Sequence, residues 1–259
     1  MNRTGLTIAL GIGFAVGVIC AVDPQLDLDI AGAFFDPARH LFDVNAQMWV
    51  QHTREAARVF ITLIVLPAFL AVIGKLIWPQ RRMLIEARAA LFLIATLALG
   101  PGLLTNVILK DHWGRPRPID VQQFGGDYRF TSWWDPRGGC PDNCSFIAGE
   151  PSGAFWTLAP AALAGPELQP LAYAAALAFG AGVGVLRIAA GAHFLSDVVF
   201  AGVFMYLVIW AAHGLIYRWA RTRVSEESIE QALTQAGEGL ATMVAAMARR
   251  FTDRRGKSP

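Results

Sequence analysis

Two short segments hold most of the residues able to do chemistry. In Arg187-Ile-Ala-Ala-Gly-Ala-His193-Phe-Leu-Ser-Asp197, the histidine and aspartate stand four positions apart, a spacing that puts both on one face of a helix. A carboxylate so placed can accept from one imidazole nitrogen, stabilise the cationic ring and leave the other nitrogen free to attack. In Lys110-Asp-His-Trp-Gly-Arg115-Pro-Arg117-Pro118, three cations sit in a stretch stiffened by prolines, which suits them to surround a phosphate. Read together, the segments point to phosphoryl transfer, with His193 as nucleophile, Asp197 as its orienter, and Lys110, Arg117 and Arg187 on the phosphoryl oxygens. Each alone has a plainer reading: a lone histidine is usually structural, and a basic stretch beside a membrane helix meets lipid head groups.

The elements that must position these residues are apolar. The chain has 259 residues, 54% apolar and only 16% charged, which favours a membrane protein over a water-soluble core. Six stretches are candidate transmembrane helices: 4–22, 59–78, 89–109, 151–165, 171–186 and 194–217. The fourth and fifth are short and rich in Gly and Ala, as in helices buried between others. No run of small cleavage-site residues follows the first, so it reads as an uncleaved anchor rather than a signal peptide. The expected fold is therefore all-α and polytopic, with a six-helix transmembrane domain over 1–217 and a cytoplasmic amphipathic, basic tail over 218–259. Arg3, Arg81, Arg82, Arg88, Arg218, Arg221 and Arg223 mark the cytoplasmic side, with both termini on it. Lys110 and His193 then face outward, where charge beside a membrane helix reads as functional.

Between the first two helices, residues 23–58 mix acids with Phe34, Phe35, Leu41, Phe42 and Trp49, a pattern suited to short interfacial helices packing at the membrane surface. Cys140 and Cys144 can close a small disulfide in an oxidising compartment; free thiols or metal ligation are the alternatives, although no second pair completes a zinc set. In the tail, Ile229, Leu233, Ala236, Leu240, Met243 and Met247 recur at heptad spacing. That seam fits docking on the membrane or the body, or a homodimer through the tail. The basic stretch 249–257 fits anionic head groups. A net charge of only +2 disfavours a nucleic-acid partner.

The two segments resemble the signature of the type 2 phosphatidic-acid phosphatase superfamily: Lys, six residues, Arg-Pro; then Pro-Ser-Gly-His; then Arg, five residues, His, three residues, Asp. Lys110/Arg117-Pro118 and Arg187/His193/Asp197 fit at full spacing. The resemblance covers roughly 6–217. It implies a six-helix membrane bundle and a phosphohistidine formed on His193 and hydrolysed by water. It also implies Lys110, Arg117 and Arg187 holding the phosphoryl oxygens, with no metal and no cofactor.

The middle motif departs from the family, since residues 145–154 contain no histidine. Either Glu150 or Ala154 takes its place, and the register with Glu150 is preferred. As general acid Glu150 must be protonated, and nearby Lys and Arg oppose that; if it stays ionised, His112 or water supplies the proton. Backbone N–H groups from Gly149 at the start of the fourth helix can receive phosphate oxygens, and auxiliary roles fall to His112, Arg115 and Ser152.

Phe124-Gly-Gly-Asp127, Trp133-Trp134, the cysteine pair and the Ser145-Phe146…Gly149-Glu150 variant are similar to bacterial lipid A phosphatases. This narrower resemblance implies an inner-membrane enzyme with a periplasmic site acting on lipid A 1- or 4′-phosphate among membrane lipids. Undecaprenyl pyrophosphate, phosphatidylglycerophosphate and phosphatidic acid are the alternative substrates. Vanadium haloperoxidases have a similar pocket but look soluble. A non-enzymatic lipid-binding or transport protein with a degenerate pocket is the other rival.

Overall fold

A computed structural model describes residues 1–255, with side chains through residue 247. The basic stretch 249–257 therefore lies outside the residues whose side chains are described. The chain folds into helices α1 (Arg3–Val22), α2 (Gln25–Gly32), α3 (Asp43–Ala46), α4 (Met48–Ile77), α5 (Ala87–His112), α6 (Gly149–Phe155), α7 (Leu158–Leu163), α8 (Gln169–Ala189), α9 (Leu195–Arg218) and α10 (Glu226–Arg255). Five of them, α1, α4, α5, α8 and α9, are long and apolar enough to cross a membrane. The all-α polytopic reading holds.

The stretch expected as a fourth spanning helix is instead two short ones, α6 and α7, broken at Trp156-Thr157. There the Thr157 hydroxyl donates to the Ala154 carbonyl at 2.6 Å, competing with the helical ladder. Burial in protein makes the break tolerable. Pro151, Ser152, Ala154 and Phe155 of α6 are buried, as are Leu158, Ala159, Ala161 and Ala162 of α7. The pair runs antiparallel to α8, with Glu150 beside Arg187 at one end and Gln169 donating to the Ala162 carbonyl at the other. Small residues permit the close approach: a Cβ on Gly180 would lie 2.2 Å from the Phe155 ring.

Helix α4 begins at Met48 rather than at 59. Its 30 residues span about 45 Å, more than the roughly 30 Å hydrocarbon core, so its first turns extend beyond that core and can carry charge. Helix α5 switches to i→i+5 hydrogen bonding over Ala98–Leu109, around Pro101, and regains α geometry at Lys110. In α2, Leu28 and Ala31 pack with Phe42, Val121, Phe124 and Phe194, so this part of the expected membrane-surface segment covers the protein body instead. Phe34 and Trp49 remain exposed.

The chain divides into two compact units, Met1–Ile64 with Ala95–His213, and Val65–Ile94 with the chain from Gly214 onward. The first holds every candidate site residue. In the second, α10 docks on its own chain. Lys75 Nζ donates to Glu230 at 3.0 Å, Gln80 donates to Glu238 at 2.7 Å, and Glu226 accepts from the first N–H groups of α5. Ile229 of the heptad seam is buried, whereas Leu240, Met243 and Met247 are exposed.

Candidate active site

His193 lies in the tight turn between α8 and α9. Gly191 makes that turn at φ +67°, a conformation suited to glycine, and any Cβ there would sit 2.4 Å from the Phe42 ring. The His193 imidazole is buried, and its Nδ1 is 2.8 Å from the Ser145 carbonyl oxygen. A carbonyl only accepts, so Nδ1 carries the proton and Nε2 keeps the lone pair.

Asp197 does not orient the ring directly as the i,i+4 spacing suggested. Its Oδ2 stands 4.0 Å from Nδ1 and accepts instead from Ser145 Oγ at 2.5 Å and the Phe194 N–H at 2.8 Å. The reason is Arg115. Expected as an auxiliary phosphate cation, it is fully buried, donating to Asp197 and Asp27 and over the Phe194 ring at 4.5 Å. Its Nε is taken by the Thr131 carbonyl, and Ser196 bonds both Arg115 and Asp27. Asp197 therefore supports His193 through Ser145, from inside a buried charged core, and Arg115, fully buried with each of its nitrogens engaged there, belongs to that core rather than to the phosphate site.

The remaining cations are oriented differently. Arg187 is buried, with Nε and Nη1 lacking any hydrogen-bond partner and Nε 3.5 Å from Glu150. Arg117 donates to the Asn143 carbonyl at 2.7 and 3.1 Å. Asn143 lies within the loop closed by the Cys140–Cys144 disulfide, which also runs its Cys144 N–H onto the Lys110 carbonyl. Lys110 Nζ rests against Gly149, where a Cβ would come within 3.3 Å of it. Burial first, and then the charges of Arg187, Arg117 and Lys110, hold the His193 pKa well below the ordinary imidazole value. Three cations thus act on one buried, neutral imidazole.

Sequence reasoning missed Arg54 of α4. It donates from Nε and Nη2 to both oxygens of Glu150, at 2.6–3.1 Å, and from Nη1 to Gln51 at 2.8 Å. The available signal was Gln51, Arg54 and Arg58 on one face of a helix continuous with the second apolar run. Burial raises the Glu150 pKa, but the Arg54 hydrogen bonds and the charges of Arg187, Arg54 and Arg58 outweigh it, holding the carboxyl below its usual range. The protonated form that a general acid needs is therefore disfavoured here. His112, the alternative donor, is exposed, with Nδ1 shared between the Val107 and Ile108 carbonyls. Ser152 spends its hydroxyl on the Ala148 carbonyl and accepts from Thr105, tying α6 to α5. A cavity of about 300 Å³ opens among Arg54, Arg58, Asn106, Lys110, Gly149 and Glu150.

A helical membrane protein in which three cations act on a buried, tautomer-fixed histidine is equipped for phosphoryl transfer. Residues 89–224 match the PAP2 superfamily, and the chain belongs to that superfamily. The chain is similar to the lipid A 4'-phosphatase of Francisella tularensis subsp. novicida (strain U112), 36% identical over 220 residues, which cover 84% of this chain and 98% of that one. It is also similar to the lipid A 4'-phosphatase of Rhizobium leguminosarum, 41% identical over 119 residues, 46% of this chain and 51% of that one. No solved structure matches it significantly.

Proposed function

We propose that this enzyme hydrolyses the 4′-phosphate of lipid A at the periplasmic face of a bacterial inner membrane. The observation that carries the chemistry is His193, whose Nδ1 is held by the Ser145 carbonyl while the charges of Arg187, Arg117 and Lys110 act on it. In the proposed reaction the Nε2 lone pair attacks phosphorus and the bond to the sugar oxygen breaks, that oxygen taking a proton from solvent water, which regains one when a second water attacks in the next step. Water then attacks phosphorus and the P–N bond breaks, releasing inorganic phosphate. The clamping cations offset the negative charge of the transferring group.

Lipid A rather than another phosphorylated lipid is supported by the near full-length similarity to one lipid A 4'-phosphatase. The periplasmic placement is supported by the Cys140–Cys144 disulfide, which suits an oxidising compartment, and by the basic residues of the 81–88 and 218–223 stretches, which suit the cytoplasmic side. A homodimer through the tail would have to be built on Leu240, Met243 and Met247, which α10 leaves exposed.

The test offers purified enzyme lipid A phosphorylated at the 1-position only, at the 4′-position only, or at both, with phosphatidic acid and undecaprenyl pyrophosphate alongside and His193→Ala as blank. Release from the 4′-position well above all others is expected. Preferential release from another lipid would overturn the assignment of substrate.

A further inference from the structure

Glu150 and Arg54 form a unit that takes no part in the proposed reaction. Glu150 sits in a phosphate-binding pocket yet is itself an anion, and Arg54 meets both its oxygens. Arg54 is in turn fixed by Gln51, so its three nitrogens are all spent. Arg187 is the reverse case: two of its buried nitrogens lack a hydrogen-bond partner, and Glu150 stands at ion-pair but not hydrogen-bond distance. The chain Gln51–Arg54–Glu150 thus ends on a guanidinium left ready for an anion.

We propose that Glu150 is a resident counter-anion, positioned by Arg54, that competes with phosphate for Arg187 and keeps the cation cluster from binding its product too tightly. The proposal rests on the phosphatase reading and adds to it a role for Glu150 other than proton donor, with Arg54 as a positioning residue. Arg54, Arg58 and Lys110 line a cavity of about 300 Å³ beside Glu150, and the charges of Arg117 and Arg187 bear on Lys110, so without a fixed carboxylate a released phosphate would meet cations alone. Opposite charges a few ångströms apart in a partly buried site interact strongly, so removing the carboxylate should be read directly in anion affinity. Arg54 aims most of the Glu150 charge at itself, and cutting it away frees that charge to act on Arg187.

The experiment measures equilibrium binding of radiolabelled inorganic phosphate to the full chain in detergent, for wild type, Glu150→Gln, Arg54→Ala and the double variant. Glu150→Gln should bind phosphate roughly tenfold more tightly, and Arg54→Ala roughly tenfold more weakly, opposite signs that general damage to the pocket cannot produce. The double variant, with its local charge balance restored, should return close to wild type. Weaker binding by Glu150→Gln, or shifts of the same sign in both single variants, would overturn the proposal. A second arm follows kcat/KM for lipid hydrolysis against pH. With Glu150 as counter-anion, the alkaline limb keeps its position in Glu150→Gln; loss of that limb, with turnover as low as His193→Ala, would make Glu150 the proton donor and overturn the proposal. The phosphate-binding arm needs no turnover, so a wild-type enzyme that released nothing from any lipid would sink the functional reading while leaving this one to stand or fall on affinity.

Discussion

At the scale of single residues the site depends on keeping one imidazole neutral. Burial and three neighbouring cations depress the His193 pKa, so the neutral form, which the proposed attack requires, persists as pH falls through the ordinary imidazole value of about 6.5, and protonation sets in only below it. Nitrogen-15 NMR of histidine-labelled enzyme should show His193 still neutral and protonated at Nδ1 near pH 6.5, where an unperturbed histidine is half charged. Ser145→Ala should lower kcat roughly tenfold with little change in KM, because the main-chain carbonyl still fixes the tautomer while Asp197 loses its link to the ring. Asp27→Ala removes one of two carboxylates facing a fully buried guanidinium and should destabilise the fold by about 3–5 kcal/mol, seen as a lowered melting temperature in detergent. Lys110, Arg117, Arg187 and His193 were legible because short segments fix their spacing. Asp27, Arg54 and Ser145 were not, because they meet their partners 88, 96 and 48 positions away, respectively, only after the chain has folded.

At the scale of elements, turns and loops aim the site more than the helices do. Gly191→Ala would force a left-handed conformation on a residue with a Cβ and drive that carbon into Phe42, costing about 1–3 kcal/mol in backbone strain alone. Lost phosphate release together with a lowered melting temperature is the expected result. Opening the Cys140–Cys144 loop by a double Cys→Ser substitution should raise KM roughly tenfold, since Asn143 within it holds Arg117. The spanning helices α1, α4, α5, α8 and α9 were visible as uncharged runs. The break between α6 and α7 was not, because composition reports apolarity and says nothing of a threonine hydroxyl capturing a main-chain carbonyl.

At the scale of the whole molecule, two separately packed units divide the chain, and one of them is assembled from a helical hairpin region and the tail. Within that unit Lys75 is buried and Glu230 answers its charge, so Glu230→Ala should loosen the start of α10, read as faster amide exchange over residues 226–240. Heptad spacing in the tail announced an apolar seam without naming its partner, and within the same chain only its first two positions are covered, Ile229 buried and Leu233 half-buried.

The buried guanidinium of Arg115 ties together positions made at very different times during biosynthesis. Asp27 leaves the ribosome before it and Asp197 long after, so the nascent chain must carry a half-neutralised cation until its ninth helix is inserted. Stalled chains that end short of residue 197 should be cleared by membrane quality-control proteases, and chains a few turns longer should survive. A survival threshold at that length would identify Asp197 as the charge that completes the buried cluster.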